Sequence, residues 1–547
     1  MRSTASLHTL SLALLVLIVP LSHAQVPAPD SFDLQANGLA NAFAVQPDGN
    51  VLVGGSFTIL KTQTRNRIAR LDADGNLDPN FNPNADGQVF ALALQEDGKI
   101  LIGGQFTTVG NQPRKYIARL LSNGNVDPEF ATGLGTEAPP LPSPIVRSIL
   151  IQPDGKIVVG GDFAVTNLTK RYLVRLNNNG SLDTSFNPSF NSEVYSLALQ
   201  SDGKVLAGGQ FISISGQLSH HIARLNPNGA VDTNFNPNAN SAVWSLAVQS
   251  DGKVLMGGDF STVASEPRKC IARLESSGIL DTTFDPGTDL KVIAWAPQAD
   301  GKNLIGGSFT TVSGGSHTNI ALLNSNGTPD ETFDPQLDSF SGSFVTALGL
   351  QSDGKLLIGG TFSRIGAISR YRIARLNAIV PATDLLEAKA NTLTWQQNGS
   401  SPAFWRTKFQ YSTNSTDWLD LGEGVYSPGG WQWTGLSNLP NCTIRARGCV
   451  TGGRYNGSSW FVERTLEYTR QTPIQILIHD GEFGVNSHQF GFIVAGETNQ
   501  ILVIECSTNL LDWLPRQTNT LTSGTFYFSD PDWSQSSQRF YRARLWP

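Results

Sequence analysis

A chain of 547 residues exceeds what one hydrophobic core supports and implies several domains. Only 15% of residues are charged, Gly occurs 54 times and Met twice, a mix that suits short strands and tight turns rather than helices. The formal charge of −6 argues against nucleic-acid binding, which needs a basic face to displace counterions.

The N-terminus, residues 1–24, reads as a secretory signal peptide. Arg2 gives the positive start, residues 10–21 form an apolar run too short to span a bilayer comfortably, and Ser22-His23-Ala24 is a small-x-small cleavage site. Cleavage after Ala24 predicts a mature chain that begins at Gln25 and is secreted, extracellular or on the cell surface; an uncleaved anchor is the alternative. No later segment is long and apolar enough to insert in a membrane. Secretion permits disulfides, yet the four Cys show no framework: an extended run would hold Cys442 and Cys449 about 20 Å apart.

Residues 25–380 are dominated by one phrase, Gln-x-Asp-Gly-Lys, an apolar triplet, then Gly-Gly-x-Phe. Its copies centre on Asp48, Asp97, Asp154, Asp202, Asp251, Asp300 and Asp353, at a spacing of roughly 49 residues. In the fourth copy, residues 194–200 and 204–211 read as strands joined by an Asp-Gly turn. A third strand follows at 221–225, then an Asn-Gly turn, then a fourth strand at 230–235. Four strands per copy, repeated radially, predict a propeller. The seventh copy stops before its fourth strand, while Phe32 precedes Asp48 at the spacing that separates Phe81 from Asp97. The N-terminal fragment therefore supplies the missing strand, and a closed ring of seven blades is expected instead of a solenoid with capped ends.

Arg70, Arg119, Arg175, Arg224, Arg273 and Arg375 share one slot of the repeat, and the sixth copy has Leu322 there. Asp78, Asp127, Asp183, Asp232, Asp281 and Asp330 recur a few residues later. A charged ring around a pore is one reading; a partly buried ion pair that ties blades together is favoured for residues present in nearly every copy. Asp330, lacking its arginine, is expected to be solvated or differently bonded. Two insertions break the uniformity, one through Glu137, Pro139, Pro140, Leu141 and Pro142, the other through Asp338 and Phe340. Insertions in a ring map to loops on one face, so these are candidate binding loops, with rigid decoration the alternative.

Beyond residue 380 Trp is concentrated, and two stretches repeat. Ser412-Thr413-Asn414-Ser415-Thr416-Asp417-Trp418-Leu419 returns as Ser507-Thr508-Asn509-Leu510-Leu511-Asp512-Trp513-Leu514, and Arg445-Ala446-Arg447 returns as Arg542-Ala543-Arg544. Two small β-sandwich modules of fibronectin or immunoglobulin type, 381–470 and 471–547, are expected. Trp405, Trp431, Trp433 and Trp460 could stack on sugars, but a place in the sandwich core is the favoured reading.

No His-Glu-x-x-His, Cys-x-x-Cys, phosphate loop or Gly-x-Ser-x-Gly elbow occurs, so no metal, cofactor or catalytic residue is expected. Residues 72–78 resemble a calcium loop but lack its later ligands, and a hairpin turn explains them better.

The repeated phrase, with Arg-Ile-Ala-Arg-Leu and Asn-Gly-x-Leu-Asp-x-x-Phe, resembles the bacterial delta-60 repeat from about Phe32 to Leu376. The resemblance implies a propeller of unknown function on a secreted or surface protein, and supplies no catalytic residues. The sandwich motifs at 409–421 and 445–448 and the end of the chain are similar to modules that accompany such arrays. Leu322 for Arg, Asn50 for Lys and Pro29 for Asp depart from the pattern.

The expected function is a non-catalytic extracellular binding or adhesion scaffold, a monomer whose propeller loops face an unknown protein or glycan. A propeller enzyme acting on polysaccharide, with acids near the channel, and a purely structural surface component are the alternatives.

Overall fold

The computed structural model describes residues 27–132, 134, 144–165, 171–338, 342–378, 380–428, 430–470, 474–478, 482–486 and 488–546. The expected signal peptide lies outside the described residues, as do Glu137, Pro139, Pro140, Leu141, Pro142 and Phe340. Among the described residues no helix is long and apolar enough to cross a membrane.

Seven sheets form a ring, and each begins with the strand nearest the axis: Ala40–Val45, Val89–Leu94, Ile145–Ile151, Val194–Leu199, Val243–Val248, Val292–Pro297 and Val345–Leu350. These inner strands neighbour one another in cyclic order, and the last meets the first. Both faces of each sheet pack on neighbouring blades, so the strands are buried along their whole length instead of alternating. The Gly-Gly pair of the middle strand permits this closeness. A Cβ on Gly208 would lie 2.8 Å from Val243 of the next blade, and one on Gly209 would lie 2.1 Å from the Glu193 carbonyl.

The ring closes as the sequence predicts. The strand Pro29–Asp33 pairs antiparallel with Ile373–Leu376 and completes the seventh sheet. Phe32 is fully buried there. In blades 1 to 6 the expected fourth strand shrinks to a single bridge, such as Leu225 with Val231. The cause is the Asp-x-x-Phe motif, which turns on itself when Phe235 N–H donates to the Asp232 carbonyl at 3.1 Å.

The repeated arginines stitch neighbouring blades. Arg224 pairs with Asp232 at 2.9 Å, stacks on Phe235 at 4.6 Å and donates to the Ser276 carbonyl in the next blade's turn at 2.6 Å. Arg70, Arg119, Arg175 and Arg273 repeat the arrangement with Asp78, Asp127, Asp183 and Asp281. Arg375 does so across the closure, with Asp30 at 2.7 Å and the Ala73 carbonyl at 2.6 Å, so Asp30 takes the role that Pro29 cannot. Leu322 also has a reason. Blade 7 ends at Leu376 and has no following turn to receive an arginine, and Asp330 pairs with Lys302 at 2.6 Å instead.

After the ring come two β-modules. In the first, the sheet of Thr383–Lys389, Thr392–Asn398, Gly430–Thr434 and Val425–Ser427 shares a core with the strands Arg406–Ser412, Leu419–Glu423, Cys442–Gly452 and Ser458–Tyr468. Trp395, Phe404, Phe409 and Trp431 fill that core. The second module, from Gln475 to Leu545, packs Phe492, Val494, Leu502, Ile504 and Phe528 between its strands. The two share local architecture: Arg445 stacks on Trp418 at 3.9 Å and Arg542 on Trp513 at 4.3 Å. Among the described residues all four cysteines are free.

Candidate functional site

The first module reaches into the ring. Its longest hairpin, Cys442–Gly452 and Ser458–Tyr468, has 11 residues per arm, which extends about 36 Å. The tip enters the central channel and touches the inner strands of all seven blades. Inner strands of a propeller leave backbone groups unpaired along the channel, and the tip pairs them. Leu92 N–H donates to Ser458 Oγ at 3.2 Å, Ile149 N–H to the Gly457 carbonyl at 3.2 Å, and Gly453 N–H to the Leu348 carbonyl at 2.7 Å. Ser196 Oγ donates to the Tyr455 carbonyl at 2.6 Å. Asn456 makes a two-point pair with the backbone of Trp295, at 2.8 and 2.9 Å. Gly457 is required because a Cβ there would lie 2.4 Å from the Arg147 carbonyl.

The channel is therefore stoppered. Residues 452–458 of the hairpin occupy it.

At the far mouth the tip presents Arg454 and Tyr455 to a second built feature. Each inner strand carries a β-bulge near its start, at Asn41, Phe90, Arg147, Tyr195, Trp244, Ile293 and Thr346. A bulge re-aims its side chain. These seven positions hold seven different residue types. The next residue is small in every blade, Ala or Ser, which leaves room for the hairpin. Six of the seven meet the tip. Tyr195 stacks on Trp244 at 4.2 Å, and Tyr455 lies 5.8 and 5.4 Å from them. Arg147 lies over Tyr195 and Tyr455, and Arg454 lies over Phe90 and reaches Asn41. Ile293 joins the same cluster. Thr346 instead donates to the Ala40 carbonyl at 2.7 Å.

Between blades 5, 6 and 7 this mouth opens into a cup of about 670 Å³, within the range of small-ligand sites. Trp244, Phe344 and Tyr455 give it aromatic walls, Lys291 and Arg454 its charge, and Ser308, Thr310, Thr318, Asn319 and Ser343 its polar groups. The Trp244 indole is fixed by donating to Asp259 Oδ2 at 2.5 Å. Burial, and secondarily the Glu193 charge, pushes the Tyr195 hydroxyl pKa up, so it stays protonated and donates to Gln210 Oε1 at 2.8 Å. Lys291 sits 4.8 Å over the Trp244 ring and, among the described residues, has no carboxylate in ion-pair range.

The residues singled out from sequence fall elsewhere or at the rim. The repeated Arg and Asp residues belong to the blade stitches. Asp338 is committed to the scaffold: its carboxylate accepts the backbone N–H groups of Ser363 and Arg364 at 2.8 and 3.0 Å, the role that Asp86, Asn191 and Asn240 play in other blades. Ser343 and Phe344, which follow that insertion, line the cup. Trp405, Trp431 and Trp460 are buried in packing. The Asp72 carboxylate is occupied by its own turn, accepting from the backbone N–H of Asp74 and Asn76. The cup residues themselves were missed; the bulge column, which holds Trp244 and Ile293, was a partial signal for them.

Fold and site together define a β-propeller whose axis is closed by a hairpin from the module that follows it. Residues 46–81, 95–130, 152–186, 200–235, 249–284, 298–333 and 351–378 match the family described as "Domain of unknown function (DUF5122) beta-propeller". No curated protein matches the chain. Among solved structures it is similar to a streptogramin B lyase, at 16% identity and a TM-score of 0.39, over 64% of this chain and 96% of that one. It is also similar to a Salmonella alpha-2-macroglobulin mutant, at 12% identity and a TM-score of 0.12, over 93% of this chain and 33% of that one.

Proposed function

We propose that this chain is a non-catalytic binding protein of the cell exterior, acting as a monomer, and that the aromatic cup is its recognition site. Export through residues 1–24 places it there. One observation carries the reading: the repeat varies in type at the bulge positions, and the hairpin tip adds Arg454 and Tyr455 at that same mouth. A ring built of near-identical blades thereby gains one asymmetric face. The partner is an extracellular glycan or protein.

The test is a glycan array and a cell-surface pull-down with the mature chain, repeated with Trp244→Ala. Loss of a large aromatic anchor should weaken capture by about thirtyfold. Capture that is undiminished in the variant would show that the partner binds elsewhere.

A further inference from the structure

We infer that the cup selects an acidic oligosaccharide, its acid group held between Lys291 and Arg454 and a sugar face laid against the aromatic wall. The inference rests on the cup being the binding site and deepens that reading to a ligand class.

Three features converge on it. The first is unspent positive charge. Arg454 donates only to neutral groups, Asn41 Oδ1 at 3.4 Å and the Tyr455 hydroxyl at 2.9 Å, and its buried Nε has no partner among the described residues. Lys291 likewise has no carboxylate partner there. In the blade stitches the pattern is the opposite: Lys204 and Arg224 converge on Asp232 at 3.2 and 2.9 Å. The described lining of the cup holds two cations and no carboxylate. A guanidinium and an ammonium without carboxylate partners at the wall of a concave site suit an anion, which binds them through charge-assisted hydrogen bonds.

The second feature is the aromatic wall, in which Trp244 and Phe344 are partly exposed and the buried Tyr455 backs them. The C–H face of a pyranose is apolar and stacks on such rings. The third is the set of hydroxyl side chains Ser308, Thr310 and Thr318 at the cup, which match a ligand rich in hydroxyl groups better than a flat aromatic acid, while Asn319 and Ser343 are bonded to each other behind them.

The probes are trigalacturonate, its neutral counterpart trigalactose, a sulfated galactose trimer and benzoate, each titrated calorimetrically against the full mature chain. The expected result is binding of the carboxylated or sulfated trimer about tenfold or more tighter than trigalactose, the scale of one hydrogen bond to a charged group. The two acidic probes tell carboxylate from sulfate. Lys291→Gln should erase most of that preference, and Arg454→Gln, checked for an unchanged melting temperature, should erase the rest. Equal binding of acidic and neutral trimers, a preference that survives Lys291→Gln, benzoate binding tighter than every trimer, or no binding of any trimer would each overturn the inference. The cup reading is judged separately: it falls only if Trp244→Ala leaves cell-surface or array capture intact.

Discussion

Replacing Asn456 by Ala tests whether the hairpin is seated in the ring. The Asn456 side chain is 2% exposed, accepts from Trp295 N–H at 2.8 Å and donates to the Trp295 carbonyl at 2.9 Å. Trp295 is fully buried, so the variant leaves two backbone groups without partners, each worth about 1–3 kcal/mol. Asn456 also has a φ of 52°, where Asn is better tolerated than Ala, which adds about 1 kcal/mol. Allowing for a water that enters the vacated space, the expected loss is about 3–5 kcal/mol. Guanidinium unfolding followed by Trp fluorescence reads it, and amide exchange at Trp295 should accelerate. Asn456→Asp sharpens the test. It keeps the acceptor for the N–H but sets a carboxylate against a carbonyl, so its folded pKa rises above the unfolded value of about 3.9. Its stability should be greatest below that pH and fall as pH rises through the raised folded pKa. A loss under about 1 kcal/mol for the Ala variant, with no pH trend in the Asp variant, would refute the seating.

Removal of residues 27–34 deletes Phe32 and leaves the Arg375 guanidinium without Asp30; calorimetry should show a loss of about 4 kcal/mol or more, and an unchanged melting temperature would reject closure by this strand. Gly209→Ala places a Cβ 2.1 Å from the Glu193 carbonyl and should cost more than about 2 kcal/mol in urea unfolding, against near neutrality for the exposed Asp251→Asn. Burial alone would raise the carboxyl pKa values of Asp183, Asp232 and Asp281, but hydrogen bonds from Lys, Arg and backbone N–H groups outweigh it and hold all three below the usual range. Their stabilisation is therefore complete above the unfolded pKa of about 3.9 and is lost as pH falls toward the folded values. A urea midpoint that stays flat from pH 7 to about pH 2 would contradict this.

The ring was legible because its period repeats the same chemistry, and Phe32 fixed the closing strand by spacing alone. The role of Asp30 was hidden by a one-residue shift from the repeat. The fourth strand was overread because its apolar residues look β-like, although Phe235 serves to cover Arg224. The stopper was not legible. Gly452-Gly453 and Asn456-Gly457 look like any hairpin turn, and their partners lie as far away as Ile149, Trp295 and Leu348 without a periodic signal. The cup was visible in part, as the column running from Asn41 to Thr346, but its geometry depends on the bulge, which sequence does not display.

The stopper has a consequence for biosynthesis. Residues 442–468 leave the ribosome after every blade has been made, whereas the clasp at Pro29–Asp33 is present from the start. A nascent chain that fastened the clasp early would enclose a vacant axle, and the late spindle would have to thread it from one side. Assembly with the clasp still ajar would avoid that threading and leave the shutting of the ring, around a part synthesised after it, as a late step of maturation.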